Sequence, residues 1–323
     1  MNKIAYVGRV TNVAPIDGAD FIDSCTVVCG SGGKWVGTVH EETKVGDLVE
    51  VYLQDCIVPK EDRFHFMEKY KYIVKMKRFK GTPSECLIMP LTIVGDVGDD
   101  ISNIIGCTKY EKALPTSIHG DTLTTFPQFI RKTDELNFQS ANDLVSTLIG
   151  KKFYSTLKID GTSCTMYKAD GHFGVCSRNL ELKENVKNAF WKIAKKYRLD
   201  ELLPDGYAIQ GEVAGPGIQG NSCKLREIEF FLFNVYDINK RQYLDFHQML
   251  HFISTNQMKI YTVPIIEHSN IFELKGDEAL RRYAERSYQN GGCAEGVVFR
   301  PINEVIVNGN RLSFKVVNLF YKC

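Results

Sequence analysis

The residues with chemical capacity form an ordered series. Lys158-Ile159-Asp160-Gly161 follows the apolar stretch Phe153–Leu157. Downstream come Ser177-Arg178-Asn179, Gln210-Gly211-Glu212, Phe231–Ile238, Glu295-Gly296-Val297-Val298-Phe299-Arg300 and Ser313-Phe314-Lys315. Each piece begins or ends a β-rich stretch, as expected if several strands deliver their ends to one cleft. Amines, a guanidinium and carboxylates would be gathered there. A free lysine, with pKa about 10.4, is protonated at neutral pH, so a lysine in such a cleft could attack as a neutral amine only where burial and nearby cations disfavour its ammonium. Taken singly the pieces are ordinary: K-x-D-G also describes a charged strand end entering a glycine turn, and Glu212 and Glu295 also read as surface carboxylates. Their succession in sequence order is what points to a site.

The elements that must position them fall into two groups. Ile4–Val13, Asp23–Cys29, Lys34–His40, Asp47–Gln54, Tyr72–Arg78 and Glu85–Pro90 carry β-formers, with turn residues at Gly30–Gly33, Lys44–Gly46 and Lys80–Pro83. Short strands at this spacing without a long helix predict a small barrel or sandwich, and the size suits an OB-type barrel. Pro115, Gly120, Pro127 and several threonines mark a transition. Beyond it, strands are expected at Phe153–Lys158, Ser163–Tyr167, Gly174–Ser177, Tyr207–Val213, Glu229–Ile238, Gly296–Arg300 and Leu312–Val317, and helices at Asn185–Leu199, Leu244–Ser254 and Asp277–Gln289. The first helix shows an apolar stripe of Val186, Phe190, Ile193 and Tyr197 with a lysine-rich back. Asn308-Gly309 signals a hairpin. The expected fold class is α+β: an N-terminal OB-type β-barrel over 1–112, a linker over 113–127, and a mainly antiparallel-sheet domain over 128–323.

Composition narrows the function. The 323 residues carry 40 Lys+Arg against 39 Asp+Glu, a net charge of +1, which excludes nucleic-acid binding by bulk charge alone. Residues 1–125 hold 14 basic and 17 acidic side chains, and residues 126–323 hold 26 and 22. A polyanion site is therefore a local patch, expected in the second half, where residues 151–200 hold 11 basic against 5 acidic. No apolar run approaches the roughly 20 residues of a membrane helix, and the N-terminus MNKIAYVGRV lacks a signal-peptide pattern. The ten cysteines are scattered without any C-x-x-C, which reads as reduced thiols in an intracellular, reducing compartment.

Three weaker patterns lead elsewhere. Gly215-Pro-Gly217-Ile-Gln-Gly220 matches G-x-G-x-x-G, but an apolar strand follows it where a dinucleotide site needs a helix N-terminus. Gly30–Lys34 reads as a hairpin loop, with Trp35 where a phosphate loop has Ser or Thr. His247 and His251, at i and i+4, lack the glutamate of a zinc-protease helix.

The ordered motifs resemble those of the covalent nucleotidyltransferase superfamily, and within it the ATP-dependent RNA ligases of the Naegleria and Deinococcus nick-sealing type. Arg131-Lys132-Thr133-Asp134-Glu135 is similar to the segment that precedes the nucleophile in that group. The resemblance implies a nucleotidyltransferase domain using ATP and Mg2+ or Mn2+. It implies that Lys158 forms lysyl-AMP, that AMP passes to an RNA 5′-phosphate, and that a 3′-OH attacks the activated end. It assigns Lys315 and Arg178 as nearby cations, Lys315 balancing α-phosphate charge and Arg178 meeting the sugar or RNA end. It assigns Asp160, Glu212 and Glu295 to the metal through bound water, Glu212 also to the ribose, Asp160 and Gly161 to the nucleotide, and Phe233 to the adenine face. Phe231, Phe233 and Val235 share one face if the strand alternates, and core packing is the other reading of Phe233 and the favoured one for Phe231. One departure stands out: Ser313 and Val317 flank Lys315 where many ligases have K-x-K, so either this subgroup needs a single lysine or another cation such as Lys132, Lys183 or Arg311 supplies the second charge.

The order of domains argues for RNA. DNA ligases and capping enzymes carry an OB domain after the last motif, whereas Lys315 lies eight residues from the end of this sequence and the barrel-like part comes first. Residues 69–80 hold six basic and three aromatic side chains. On a strand, Lys75 and Lys77 would share a face, and with Arg78 they form an expected RNA contact, a solvated strand face being the alternative. The expected partner is a nicked duplex with RNA on the 3′-OH side, met by a monomer. A non-catalytic RNA-binding protein of degenerate fold and an RNA guanylyltransferase are the competing functions.

Overall fold

A computed structural model describes residues 3–30, 32–110, 121–185 and 187–321. The chain falls into two compact units, residues 1–113 with 138–142, and residues 114–137 with 143–322.

The first unit is built on strands β1 (Ala5–Pro15), β2 (Ile22–Cys29), β3 (Gly33–His40), β4 (Leu48–Tyr52) and β5 (Leu87–Pro90). They form one antiparallel sheet in the order β3-β2-β1-β4-β5. Alternating apolar residues place Val27, Trp35, Val49 and Val51 in one core, and Ala5, Val7, Tyr52 and Phe64 in another.

The expected closed barrel is not what the described strands form, because the sheet path is open. Its ends approach at Glu85, whose N–H donates to the Val36 carbonyl at 2.8 Å. The Val36 N–H then donates to the Glu85 carboxylate at 3.1 Å. A side chain thus takes the place of the next backbone rung, and the ladder goes no further.

Tyr72–Arg78 is a second correction. A 3-10 helix covers Asp62–Tyr70, and Lys71 and Tyr72 adopt left-handed backbone (φ 55° and 60°), which turns the chain out of an extended path. Ile73 still makes an antiparallel bridge with Ile57, the Val74 N–H donating to the Cys56 carbonyl at 2.8 Å, and Lys77–Phe79 forms a short hairpin, so the expected strand is broken into two pieces.

The second unit opens with β6 (Thr122–Thr125) and β7 (Leu136–Asn137). Residues 113–120 of the expected linker lie outside the described residues, and its described end is the strand β6. Next come β8 (Lys152–Lys158), β9 (Thr162–Ala169), β10 (His172–Cys176), β11 (Leu180–Leu182), β12 (Tyr207–Ala214) and β13 (Glu229–Asp237). They are followed by β14 (Gln242–Tyr243), β15 (Tyr261–Thr262), β16 (Ile265–Ile271), β17 (Gly296–Pro301) and β18 (Phe314–Val317).

One sheet runs β6-β11-β10-β9-β12-β13-β14, with β15 parallel to β13, and the other runs β7-β18-β17-β8-β16. Their shared core joins Tyr154 of β8 to Met166, Ile209, Leu232 and Val235, with Phe246, Met249 and Ile253 of the helix Phe246–Thr255. The observed class is α+β, rich in sheet.

The helix expected from Asn185 runs from Ala189 to Lys196, because the Asn188 side chain caps it by accepting the Trp191 N–H at 2.8 Å. Val186 of the expected stripe lies outside the described residues. Lys195 and Lys196 on the outer face pair with Asp200 (2.8 Å) and Glu229 (2.7 Å), which spends their charge inside the protein. Asn308 and Gly309, both at positive φ, make the expected two-residue turn between Ile306–Val307 and Asn310–Arg311.

Candidate active site

Lys158 is the last residue of β8, where the β-forming run meets the Asp160-Gly161 turn. The turn needs glycine for lack of room: a Cβ at Gly161 would lie 2.3 Å from the Val213 carbonyl oxygen and 2.8 Å from Glu212 Cγ. Strand register then delivers the other groups. Lys158 lies opposite Gly296, so Glu295 stands at the neighbouring strand's start, while Gly296 lies opposite Val317 and Val298 opposite Lys315. In the other sheet Ser163 lies opposite Glu212.

The result is a mixed-charge cluster. Lys158 Nζ lies 2.7 Å from Glu295 Oε2, with both side chains about one-quarter exposed. Burial pulls the Lys158 amine down, but Glu295, Glu212 and Asp160 together outweigh it, and the net direction is up. The neutral amine expected from the sequence is therefore not the favoured form here: three carboxylates face the amine more strongly than any cation does. Glu212 is pushed up to about 8, chiefly by burial, with Glu295 and Asp160 adding to it and Lys158 opposing. Lys315 moves the other way, lowered by burial and then by Lys158. Its amine makes no hydrogen bond or ion pair among the described residues.

Two loops that the motif reading left out hold the carboxylates. Ser222 Oγ donates to Asp160 Oδ2 at 2.7 Å, and Gln219 Nε2 donates to the Gly161 carbonyl at 3.2 Å. Both belong to the loop whose glycines mimic a dinucleotide motif, and no helix follows it. The second loop carries Tyr288, whose hydroxyl donates to the Lys158 carbonyl at 2.6 Å. The same oxygen accepts the Asp160 N–H at 3.0 Å and the Glu295 N–H at 3.2 Å. The sequence places Tyr288 inside an expected helix. That helix stops at Ala284, and the signal for a loop was Asn290-Gly291-Gly292.

Arg178 lies near enough to lower Glu212, and it donates to Asp134 at 2.8 Å. The 131–135 segment is tied down around it. Thr133 Oγ1 and Ser163 Oγ are 2.9 Å apart, the Arg131 carbonyl accepts from Gln210 at 2.7 Å, and buried Arg300 pairs with Glu135 at 2.6 Å.

Phe233 is the extra residue of a β-bulge, since Gln210 pairs with Asn234 and Gly211 with Leu232. The bulge breaks the expected alternation. Val235 turns into the core with Leu232, and Phe233 stays half-buried with the Arg300 guanidinium 5.8 Å from its ring. Phe231 is not core either: it is half-buried and stacks on Tyr261 at 6.0 Å.

Of the candidates for a second charge, Arg311 is committed to Glu304 and to Asn234 (2.7 Å), and Lys183 is exposed. Lys132 donates to Asn179 at 2.5 Å and borders a cavity of about 180 Å³ shared with Arg131, Asp134, Arg311 and Ser313. In the first unit Lys75 is exposed and precedes the short strand that begins at Lys77, so the two do not share a strand face; Lys77 lies over the Tyr70 ring, and Arg78 donates to the Gly81 carbonyl at 2.6 Å.

Among the described residues no three His, Cys, Asp or Glu side chains converge closely enough to grip a metal ion directly. The oxygen donors Asp160, Glu212 and Glu295, gathered around one ammonium, suit a hard cation that keeps its water. The described cysteines are free thiols. Among the described residues no helix is long and apolar enough to cross a membrane.

No curated protein sequence matches the chain. Solved structures of Naegleria gruberi RNA ligase do. A mutant with ATP and Mn aligns at 31% identity and TM-score 0.84, covering 98% of this chain and 97% of that one. The enzyme with PPi aligns at 32% identity and TM-score 0.83 with the same coverage, and another mutant with AMP and Mn at 31% and 0.84. The RNA ligase family profile matches residues 151–317, the stretch from the start of β8 to the end of β18. With the cluster around Lys158 inside that stretch, the chain belongs to the RNA ligase family.

Proposed function

We propose that the protein is an ATP-dependent RNA ligase that seals 3′-OH/5′-phosphate breaks, with Lys158 as its nucleophile. The observation that carries this reading is Lys158 Nζ at 2.7 Å from Glu295, with Glu212 and Asp160 beside it and Lys315 left without an anionic partner.

In the first step the deprotonated Lys158 amine attacks the α-phosphorus of ATP. An N–P bond forms, the bond from that phosphorus to the β-bridging oxygen breaks, and pyrophosphate leaves. Lys315, lowered and unpaired, supplies positive charge to the α-phosphate as negative charge builds there. Next an oxygen of the RNA 5′-phosphate attacks the same phosphorus, the N–P bond breaks, and Lys158 regains its proton. Last, the 3′-OH loses its proton and attacks the 5′-phosphate, and AMP departs. Asp160, Glu212 and Glu295 would hold a hydrated Mg2+ or Mn2+. When bound, that ion supplies positive charge that neutralises phosphate and removes the carboxylates' support for the Lys158 ammonium.

In this reading Arg178 meets the sugar or RNA end and Phe233 covers the adenine. Lys132 is the candidate second charge. The first unit, residues 1–112 in this reading, is an OB-type module that joins the nucleotidyltransferase domain at 128–323 through 113–127. Lys75, Lys77 and Arg78 on it contact a nicked duplex with RNA on the 3′-OH side. In this reading the protein acts as a monomer.

Incubation with α-labelled ATP and Mg2+ tests the reading. Label retained on the denatured protein, absent with Lys158→Ala and not replaced by labelled GTP, is the expected result. Tight RNA binding without label transfer would instead favour a non-catalytic protein.

A further inference from the structure

We propose that Tyr288 is a positioning residue for lysine adenylylation, its hydroxyl fixing the nucleophile and two carboxylates in one frame; this rests on the ligase reading above.

A phenol hydroxyl has one proton to give and two lone pairs, and Tyr288 uses all three. It donates to the Lys158 carbonyl at 2.6 Å, and accepts the N–H groups of Asp160 at 3.0 Å and Glu295 at 3.2 Å. Lys158 and Asp160 stand at the end of one strand and in the turn after it, while Glu295 opens the next strand. No backbone ladder spans that gap, because strand pairing between β8 and β17 begins at Lys158 and Gly296. The hydroxyl therefore joins the two peptide segments just past the last rung, at the point where amine and carboxylate must meet.

The loop that carries it is itself fixed. The Tyr288 N–H donates to the Gly292 carbonyl at 2.7 Å, Asn290 Nδ2 donates to the Cys223 carbonyl at 3.1 Å, and Ser287 bridges Cys293. A Cβ on Gly292 would lie 1.9 Å from the Ser222 carbonyl oxygen, so the loop sits flush against the segment whose Ser222 hydroxyl holds Asp160. Tyr288 is 6% exposed, and burial pushes its hydroxyl above the ordinary tyrosine range, so it stays a proton donor at working pH. These three bonds are all to backbone groups, and the Cys223 side chain also lies beside the hydroxyl. The effect of Tyr288 on the reaction runs through the placement of Lys158, Asp160 and Glu295, and a misplacement near 1 Å costs on the order of 100-fold in rate.

The experiment is single-turnover adenylylation by the full chain with labelled ATP and Mg2+, comparing wild type, Tyr288→Phe and Asn290→Ala across ATP concentrations. Tyr288→Phe is expected to lower the rate constant at saturating ATP by about 10- to 100-fold and to leave the ATP dependence within about twofold. The fraction of enzyme that becomes labelled should be unchanged. Asn290→Ala, which keeps the hydroxyl but loosens its loop, should lower the same rate constant by a smaller factor. A structural role alone would reduce the labelled fraction and leave the rate constant of the folded molecules intact, and that result overturns the proposal, as does an unchanged rate. Should Tyr288→Phe fail to fold, Asn290→Ala decides by the same criterion. Absence of label on wild type would instead remove the ligase reading itself.

Discussion

Lys158 and Lys315 occupy one site on strands that flank β17, yet their amines are driven in opposite directions. Lys158, in contact with Glu295, is raised, whereas Lys315, which makes no ion pair among the described residues, is lowered by burial and then by Lys158. In the proposed reaction the pair would divide the work between an amine stored as its ammonium and a cation that meets the phosphate.

A lysine raised in this way must lose its proton before it attacks, so adenylylation should rise with pH. Glu295→Gln removes the carboxylate in direct contact with the ammonium, 2.7 Å away. The rising limb should then move to lower pH, while the plateau rate falls because a group assigned to the metal is gone. Single-turnover label transfer at a series of pH values checks this. A limb that stays in place contradicts the assignment of Glu295 as the dominant partner.

Lys315→Met should separate stability from activity. The half-buried amine is replaced by a chain of similar length without charge, so the melting temperature should be equal to or above that of the wild type. Label transfer should fall by about 100- to 1,000-fold, as for removal of a charge-stabilising donor. A lower melting temperature with retained activity would sink the role given to this lysine.

Much of this arrangement was legible in the residues, because strands and turns are local. The three short β-forming runs that hold Lys158, Gly296 and Lys315 are strands as expected, although their mutual register, set by pairing remote in sequence, was not legible. The Asn308-Gly309 turn, itself local, was legible.

What was not legible depends on contacts remote in sequence. Tyr288 bonds Lys158 across 130 positions. The Phe233 bulge comes from pairing with Gln210 and Gly211, which alternation along one strand cannot report. The protonation of Lys158 depends on which carboxylates the fold places against it, and the motif names both acids and cations without their distances. The open sheet of the first unit turns on one side chain, Glu85, taking a rung of the ladder.

Glu212 gives a pH dependence of stability with a definite sign. Its folded-state value of about 8 lies above the ordinary carboxylate value, so between those limits the folded protein binds the extra proton and the unfolded chain does not. The contribution is present at acid pH and is lost as pH rises through about 8. Glu212→Gln mimics the neutral form and should flatten the fall in melting temperature between acid and mildly alkaline pH. Thermal unfolding of both proteins across that range is the check, and parallel curves would contradict the shift.

Gly161→Ala tests the close approach of the turn to β12. The new Cβ would meet backbone at 2.3 Å, so the turn must move, at a cost of about 1–3 kcal/mol. Adenylylation should fall by about 100-fold as Lys158 and Asp160 shift. Wild-type rates from a folded Gly161→Ala protein would show that the turn does not set the geometry.

The most direct measurement is the site of covalent attachment. After reaction with α-labelled ATP and Mg2+, proteolysis and mass spectrometry should find AMP on the peptide that contains Lys158 and on no other, with chemistry of an acid-labile phosphoramidate. AMP on a different residue, or a fully folded protein that never takes up label, would contradict the assignment of Lys158 as the nucleophile.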